Sequence, residues 1–348
     1  MKYNKFTLFC IIFVAFVPFN NYAQDIHFSQ FWDAPLLQSP TSAGRADGAV
    51  RAIVNYRTQW ASVSSNPFST FGANVDMRLH TSHKGSHLAG GISMYTDLAG
   101  SAKMRTTLVN LSAVYHLNFS DNNYFSLGLQ GGFHQKGLDV SQLRFDNQFD
   151  GIGHNPTINS NENLSNFSEI RPTLSAGISY TWSNSFSGVR RLFTQNKKSV
   201  NIGFTVHHFN SPKFNILHQE NLGLKYIGHV ETAFETHTDW LISPKVLVAI
   251  QNKATDIILG SLFTYPLSHG SRMNNYSNSA SIGFGAFYRL KDALIPTLQV
   301  QWSSISLGFS YDVNLSSLND ASRYRGGFEI SLKYISNNPR LKGSSMRF

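Results

Sequence analysis

The feature that most constrains this chain is a regular alternation of apolar and polar residues over stretches as long as a β-strand. Apolar side chains stand at nearly every second position of Phe125–His134 and of Val200–His207. A period of two predicts strands with two unlike faces. The same pattern returns in Val109–Leu117, Leu174–Trp182, Ile282–Tyr288, Leu298–Trp302, Ile305–Tyr311 and Phe328–Tyr334.

The polar face of these strands indicates where they reside. It consists mainly of Gly, Ser, Thr, Asn, Gln and His, whereas a soluble sandwich usually exposes Lys, Glu and Arg. Charged residues make up 14% of the chain and aromatic residues 13%, so charge is scarce for a soluble domain. After residue 24, apolar runs such as Ile257–Leu267 are too short for a membrane-spanning helix. Apolar strand faces towards lipid and small polar faces inside are typical of a transmembrane barrel.

We therefore expect an all-β fold, a transmembrane antiparallel β-barrel of the outer-membrane type with about 14 strands, at roughly 23 residues per strand and connection. Residues 24–348 would form this single domain, with 24–48 lying in the lumen or at the periplasmic mouth. The Asn- and Ser-rich stretches Asp146–Ser168 and Ser268–Ser279 are predicted to be long extracellular loops. Candidate aromatic residues at the membrane interfaces are Trp182, Trp240, Trp302, Tyr226 and Tyr334.

The first 23 residues have the organisation of a secretory signal peptide. Two lysines precede the apolar stretch Phe6–Phe19, and cleavage is expected between Ala23 and Gln24. The single cysteine, Cys10, lies in this leader, so we expect a cysteine-free mature chain, which fits a Gram-negative envelope protein. The formal net charge is +9, but the basic residues are scattered, and nucleic-acid binding is not expected.

No pattern of reactive residues predicts an enzyme, a cofactor site or a metal site. The chain has no G-x-S-x-G nucleophile elbow. Adjacent His207 and His208 would face opposite sides of a strand, and His116 and His134 would line the lumen. His80, His83 and His87 fit a solvated turn better than a metal site. Asp146, Asp150 and His154 fit a solvated loop better than a calcium site.

Sequence blocks in the mature chain resemble the PorP/SprF proteins of the Bacteroidota. They begin with the octapeptide from Gln24 to Phe31 and the block from Asn55 to Trp60, which together are quite specific. Ile26 stands where the family usually has proline, and Ser39-Pro40-Thr41 replaces a commoner Asn-Pro-Ala. Further similar blocks are Leu127–Gly132, Asp146–Phe149, Val200–Phe204, Ser310–Asn314 and Gly326–Tyr334.

This resemblance implies an outer-membrane barrel that works with the type IX secretion system. The resemblance also implies that such a barrel supports export or surface attachment of a large partner protein, such as an adhesin used in gliding. Partners would be that secreted protein, secretion components and outer-membrane lipid. The family-motif positions that we expect to contact a partner are Phe28, Ser29, Gln30, Phe31, Pro35, Asn55, Tyr56, Arg57, Gln59, Trp60, Asp146 and Gln148.

The sequence is compatible with two classes of function. An accessory or anchor barrel would use its loops and lumen for protein partners. A porin-like channel for a small solute would instead need an open lumen with a charged constriction. Because few charged residues are expected in the polar register, the sequence favours the accessory barrel.

Overall fold

The computed structural model describes residues 25–46, 48–61, 64, 66–82, 85–100, 103–120, 122–139, 143–155, 157–161, 167–184, 198–215, 219–268, 280–316 and 322–336. The expected leader at 1–23, the body of the Ser268–Ser279 loop and His83 lie outside these residues. Within them, no helix combines the length and apolar character needed to cross a membrane.

Fourteen long strands close into one antiparallel barrel, which confirms the predicted fold and strand number. The barrel closes between the first and last strands, from Arg51 opposite Ile335 to Thr58 opposite Phe328. The barrel strands are β1 (Val50–Gln59), β2 (Phe68–Thr81), β3 (His87–Ala99), β4 (Met104–Ser120), β5 (Asn123–Leu138), β6 (Phe167–Ser183), β7 (Lys198–His207), β10 (Lys225–Glu235), β11 (Leu241–Gln251), β12 (Ala254–Ser268), β13 (Ala280–Arg289), β14 (Ala293–Trp302), β15 (Ile305–Asn314) and β16 (Arg325–Ile335). Strands β8 (Lys213–Asn215) and β9 (Gln219–Asn221) form a separate small hairpin.

The alternation in the sequence corresponds to the two faces of the barrel wall. Along β5, Leu127 and Leu129 are more than half exposed, while the neighbouring Ser126 and Gln130 are buried. Successive strand residues point to opposite faces, so the exposed apolar face is the one that meets lipid. The outward apolar assignment is therefore confirmed, and the inward face is mainly polar.

The two ends of the barrel differ in their connections. The termini end holds the start of β1 and the end of β16. The opposite end, called here the loop end, carries the two longest connections, 139–166 and 208–224, whereas the longest at the termini end are 184–197 and 269–279. Longer connections are typical of the extracellular side. The prediction that both long loops share one side is wrong, because β12 and β13 are joined at the termini end, whereas β5 and β6 are joined at the loop end.

The five candidate interface aromatics all lie near strand ends. Trp302, Tyr226 and Tyr334 are exposed on the outer face. Tyr226 begins β10 at the loop end, and Trp302 and Tyr334 end their strands at the termini end. Trp182 and Trp240, also at the termini end, are half-buried.

Three single turns of helix occupy the chain before the first strand. They are the 3-10 turns Phe31–Asp33 and Pro40–Ser42 and the α-helical turn α1, Pro35–Gln38. Pro35 and Pro40 begin the second and third turns, where the missing N–H costs no intrahelical hydrogen bond. These turns make Asp25–Ala46 compact and expose many of its carbonyl groups to side chains outside it.

Candidate functional site

The lumen is occupied by residues Asp25–Ala46, named here the luminal segment. At the loop end, the backbone N–H of Asp25 donates to the Oε1 of Gln251, at 2.9 Å. At the termini end, Arg78 donates to the carbonyl oxygens of Gly44 and Ala46, both at 2.7 Å. The segment therefore runs through the barrel from one end to the other before β1 begins.

Inward-facing side chains hold this segment largely by its backbone. The donors are Arg57 to the carbonyl oxygen of His27 (2.5 Å), Gln130 to Leu36 (3.1 Å), His207 to Gln38 (2.9 Å), Arg51 to Ser42 (2.9 Å) and His116 to Ala43 (2.8 Å). These side chains come from β1, β4, β5 and β7, on different sides of the ring. The buried carbonyl groups of a segment without long helices need such partners, and the lumen provides them.

A buried network of charged side chains binds the segment at Ser29. The carboxylate of Asp312 accepts from Arg57 at 2.8 Å, from Arg289 at 3.0 Å and from the Ser29 hydroxyl at 2.7 Å. Arg289 also donates to the Ser29 oxygen, at 2.8 Å. Buried charges are tolerated when they are paired and hydrogen-bonded, and Ser29 of the segment adds hydrogen bonds to this network.

Glu329 receives two backbone N–H groups of the same stretch. Ser29 donates to its Oε2 at 2.7 Å, and Gln30 donates to its Oε1 at 2.9 Å. Nearby, the buried carboxylate of Asp33 accepts from Lys333 at 2.7 Å and from Ser331 at 3.0 Å. Three residues on β16 thus bind the segment through polar bonds.

One sector of the lumen is apolar and receives two aromatic rings. Phe31 packs in a buried cluster with Ile227, Leu247, Ile258, Leu262, Phe287 and Ile295, which face inward from β10–β14. Trp32 stacks on Phe287 with ring centroids 4.3 Å apart. Burying such side chains contributes roughly 1.5–3 kcal/mol each, so apolar packing and charge pairing act together on adjacent residues.

Glycines in the wall make room for the segment. A Cβ at Gly128 would lie 3.0 Å from the backbone nitrogen of Thr41, and one at Gly177 would lie 3.0 Å from the Ser39 hydroxyl. Similar close approaches occur between Gly72 and Phe28, Gly91 and Leu36, and Gly308 and Gln30. Since these glycines belong to five different strands, the wall is shaped around the segment.

The histidines mostly serve this packing. His116 and His134 are buried and face the lumen, as expected. The prediction that His207 and His208 face opposite sides is wrong: both are buried, with ring centroids 6.1 Å apart. His208 adopts φ 57°, so the strand alternation stops there. It contacts Asp25 at 3.0 Å. Across the described ranges, no group of three or more His, Cys, Asp or Glu residues is arranged to hold a metal.

The 143–161 part of the long loop has its own ordered hairpin. The side chain of Gln148 donates to the carbonyl of Ile158 at 2.9 Å and accepts from the backbone N–H of Phe145 at 3.3 Å. At the tip, the backbone N–H groups of Gly153 and Ile152 bind the carboxylate of Asp150 and lower its pKa. Both bonds end on the same carboxylate oxygen, Oδ1. The Ile152 side chain is 96% exposed.

The predicted contact positions divide into three groups. Phe28, Ser29, Gln30, Phe31, Pro35, Asn55 and Arg57 are buried within the barrel, so their contacts are with this chain. Tyr56 is on the outer face of β1, and Gln59 and Trp60 lie at the loop-end rim. Asp146 and Gln148 belong to the loop hairpin, where Asp146 is exposed and Gln148 is buried.

Sequence reasoning missed the charged wall residues Arg289, Asp312 and Glu329. The expectation of few charges in the polar register is wrong, because these residues and others occupy inward positions and pair with each other or with the luminal segment. A signal was present: Asp312 and Glu329 each stand between apolar residues in alternating strands, where a charge has to face away from lipid.

Comparisons with known proteins agree with this architecture. The family model described as "Type IX secretion system membrane protein PorP/SprF" matches residues 20–334. No curated protein matches the chain significantly.

Solved barrels are similar to the chain at the level of the fold. A TodX monoaromatic hydrocarbon channel mutant has 8% identity and a TM-score of 0.47, covering 87% of this chain and 94% of its own. The CymD monoaromatic hydrocarbon channel has 8% identity and a TM-score of 0.42, covering 87% and 92%. The translocator domain of autotransporter NalP from Neisseria meningitidis has 12% identity and a TM-score of 0.36, covering 83% and 88%. Likeness at this level carries no argument about function.

Proposed function

Since the chain belongs to the PorP/SprF family of type IX secretion system membrane proteins, we propose that it is an accessory or anchor barrel that supports export or surface attachment of a large secreted protein, such as an adhesin. The barrel is the mount in the outer membrane, and its loop-end surface is where the partner binds. No catalytic step is part of this proposal.

The filled lumen is the observation that carries the proposal. The luminal segment is bound from β1, β2, β4, β5, β7 and β16 and packs against the apolar sector. A solute channel needs a continuous aqueous path, and the segment occupies the path here. A rigid barrel with ordered loops suits a protein partner better than a small solute.

The loop hairpin around Gln148 is the first place to look for that partner. Its tip presents Ile152 and Phe149, which are 96% and 60% exposed. Internal hydrogen bonds hold this tip in place, so little conformational entropy is lost when a partner covers it. Exposed apolar side chains on an ordered support are typical of binding hot spots.

The test is recovery of bound proteins with the tagged chain from native outer membranes in mild detergent. We expect stoichiometric recovery of a large surface protein or of type IX secretion components. Ile152→Asp should lower that recovery at least about tenfold, since it places a charge in an apolar contact. The matched control His237→Asp adds the same charge to an exposed turn at the termini end and should change nothing.

The opposing result is equally concrete. A wild-type barrel recovered alone, and conducting ions in a planar bilayer without any partner, would exclude the anchor and support the porin-like alternative. Recovery of a partner together with an electrically silent barrel supports the proposal.

A further inference from the structure

A cavity of about 390 Å³ opens above the luminal segment at the loop end. It is named here the vestibule, and its lining includes Asp25, His27, Thr70, Asp97, Thr106 and Asn252. Asp25 and His27 belong to the luminal segment and form the floor. The volume lies within the usual range of ligand pockets, and the blocked lumen beneath makes the vestibule a dead end.

Asp97 distinguishes this cavity from the rest of the lumen. Other inward acids have basic partners: Asp33 pairs with Lys333, Asp76 with Arg51, Asp256 with Arg289, Asp312 with Arg57 and Glu231 with Arg45. Among the described residues, the carboxylate of Asp97 accepts only the Thr70 hydroxyl, at 2.6 Å, and forms no ion pair. A half-buried carboxylate with one neutral donor retains capacity for a cation.

The rest of the wall has surfaces that suit a peptide with a Lys or Arg residue. They match both its methylene stem and its backbone. Phe68, Met104 and Leu222 offer apolar surface, against which the methylene stems of Lys and Arg pack readily. Amide groups of Gln59 and Asn252 can both donate to and accept from a peptide backbone. The wall also contains Lys136, whose ammonium lies 5.2 Å from the centre of the Phe214 ring.

We propose that the vestibule binds an extended polypeptide segment of the secreted partner and that a Lys or Arg side chain of this segment pairs with Asp97. The inference rests on the proposed function and specifies a second contact beside the loop hairpin. The lumen below already binds the luminal segment through its backbone, and the vestibule extends from that segment towards the loop end. The guanidinium or ammonium group of the peptide supplies the cationic partner that Asp97 lacks.

The test uses the purified full mature chain in detergent and a fluorescent pentapeptide, blocked at both ends, with one central Arg. The comparison peptide carries citrulline, which has the same shape without the charge. Anisotropy should show the Arg peptide binding about tenfold tighter or more, as expected for a charged hydrogen-bonded pair. Asp97→Asn, which still accepts from Thr70, should remove this difference. Asp239→Asn, which neutralises an exposed carboxylate in a turn at the termini end, should preserve it.

A second variant tests the same cavity in case Asp97→Asn fails to fold. Thr106→Phe keeps the charge of Asp97 but fills the cavity beside it, and should abolish binding of both peptides. Equal affinity of the two peptides for the wild-type chain, or an unchanged preference in Asp97→Asn, overturns the inference. Since this assay needs no natural partner, it can fail while partner recovery succeeds, and the reverse, so the two proposals are separable.

Discussion

Replacing Glu329 by glutamine tests what holds the luminal segment in the barrel. The carboxylate accepts the backbone N–H groups of Ser29 and Gln30 on its two oxygens. Glutamine has the same shape but only one oxygen. One of the two N–H groups must then face an NH₂ group, and no nearby solvent replaces the bond, because the position is 1% exposed.

The magnitude follows from these two bonds. Leaving one buried donor unsatisfied costs about 1–3 kcal/mol, and the remaining bond loses its charge assistance, worth about 1 kcal/mol. The expected loss is about 3 kcal/mol in the free energy that docks the segment. This corresponds to an increase of about 150-fold in the undocked population.

A reporter cysteine makes that population measurable. The chain has one cysteine, Cys10 in the expected leader, so Ala34→Cys introduces the only thiol of the mature chain. Ala34 is 2% exposed when the segment is docked, and the substitution is small. When redocking is faster than modification, the rate of thiol labelling follows the undocked fraction. Glu329→Gln should therefore accelerate labelling about 150-fold.

Asp239→Asn, in an exposed turn at the termini end, supplies the control for removing one negative charge and should leave the rate unchanged. The reasoning is refuted if Glu329→Gln alters the labelling rate by less than about threefold in a folded barrel. Folding is checked by the shift in electrophoretic mobility between unheated and heated samples. Docking would then depend on the other contacts of the segment, such as the apolar cluster around Phe31 and the bonds to its carbonyl groups.

Three further results are expected. Gly128→Val should raise labelling of the reporter cysteine about 5- to 150-fold, for an overpacking cost of about 1–3 kcal/mol; Gly228→Val, where a Cβ meets nothing within 4 Å, is the silent control. Deleting 25–46 should give stepwise ion conductance in planar bilayers, and a silent deletion variant that is folded would contradict the blocked path. Leu129→Arg, on the outer face near the middle of β5, should lower the unfolding free energy in lipid vesicles by about 2–4 kcal/mol, against about 0–1 kcal/mol for Phe119→Arg near a strand end. Equal losses would contradict the assigned lipid face.

The barrel was predictable because its information is local. Each strand carries its two faces in its own alternation, as in Phe125–His134, and the same pattern recurs along the chain. Dividing the length by a typical strand and connection then gave the strand number. The side of each loop was harder, since it depends on the parity of every preceding strand and on recognising that β8 and β9 stand outside the barrel.

The luminal segment was not predictable in detail because its contacts are remote. Ser29 and Glu329 are separated by 300 positions, and nothing periodic in Asp25–Ala46 indicates which wall residue each carbonyl will meet. The resemblance directed attention to the right residues, such as Ser29 and Arg57. It could not distinguish contact with a partner from contact with the chain's own barrel; in the structure the buried positions contact the barrel, and their contact with a partner stays a prediction.

The location of the charged network connects the luminal segment to barrel closure. Arg57 belongs to the first strand, Glu329 to the last and Asp312 to the one beside it, so the network spans the seam where the sheet joins itself. Before closure, β1 and β16 are unpaired edges, and these buried charges would lack part of their pairing. Ser29 and Gln30 supply bonds to Asp312 and Glu329 at this seam. The segment therefore stabilises the closed ring as well as filling it, which gives a physical reason for so much charge beside a lipid-facing strand pair.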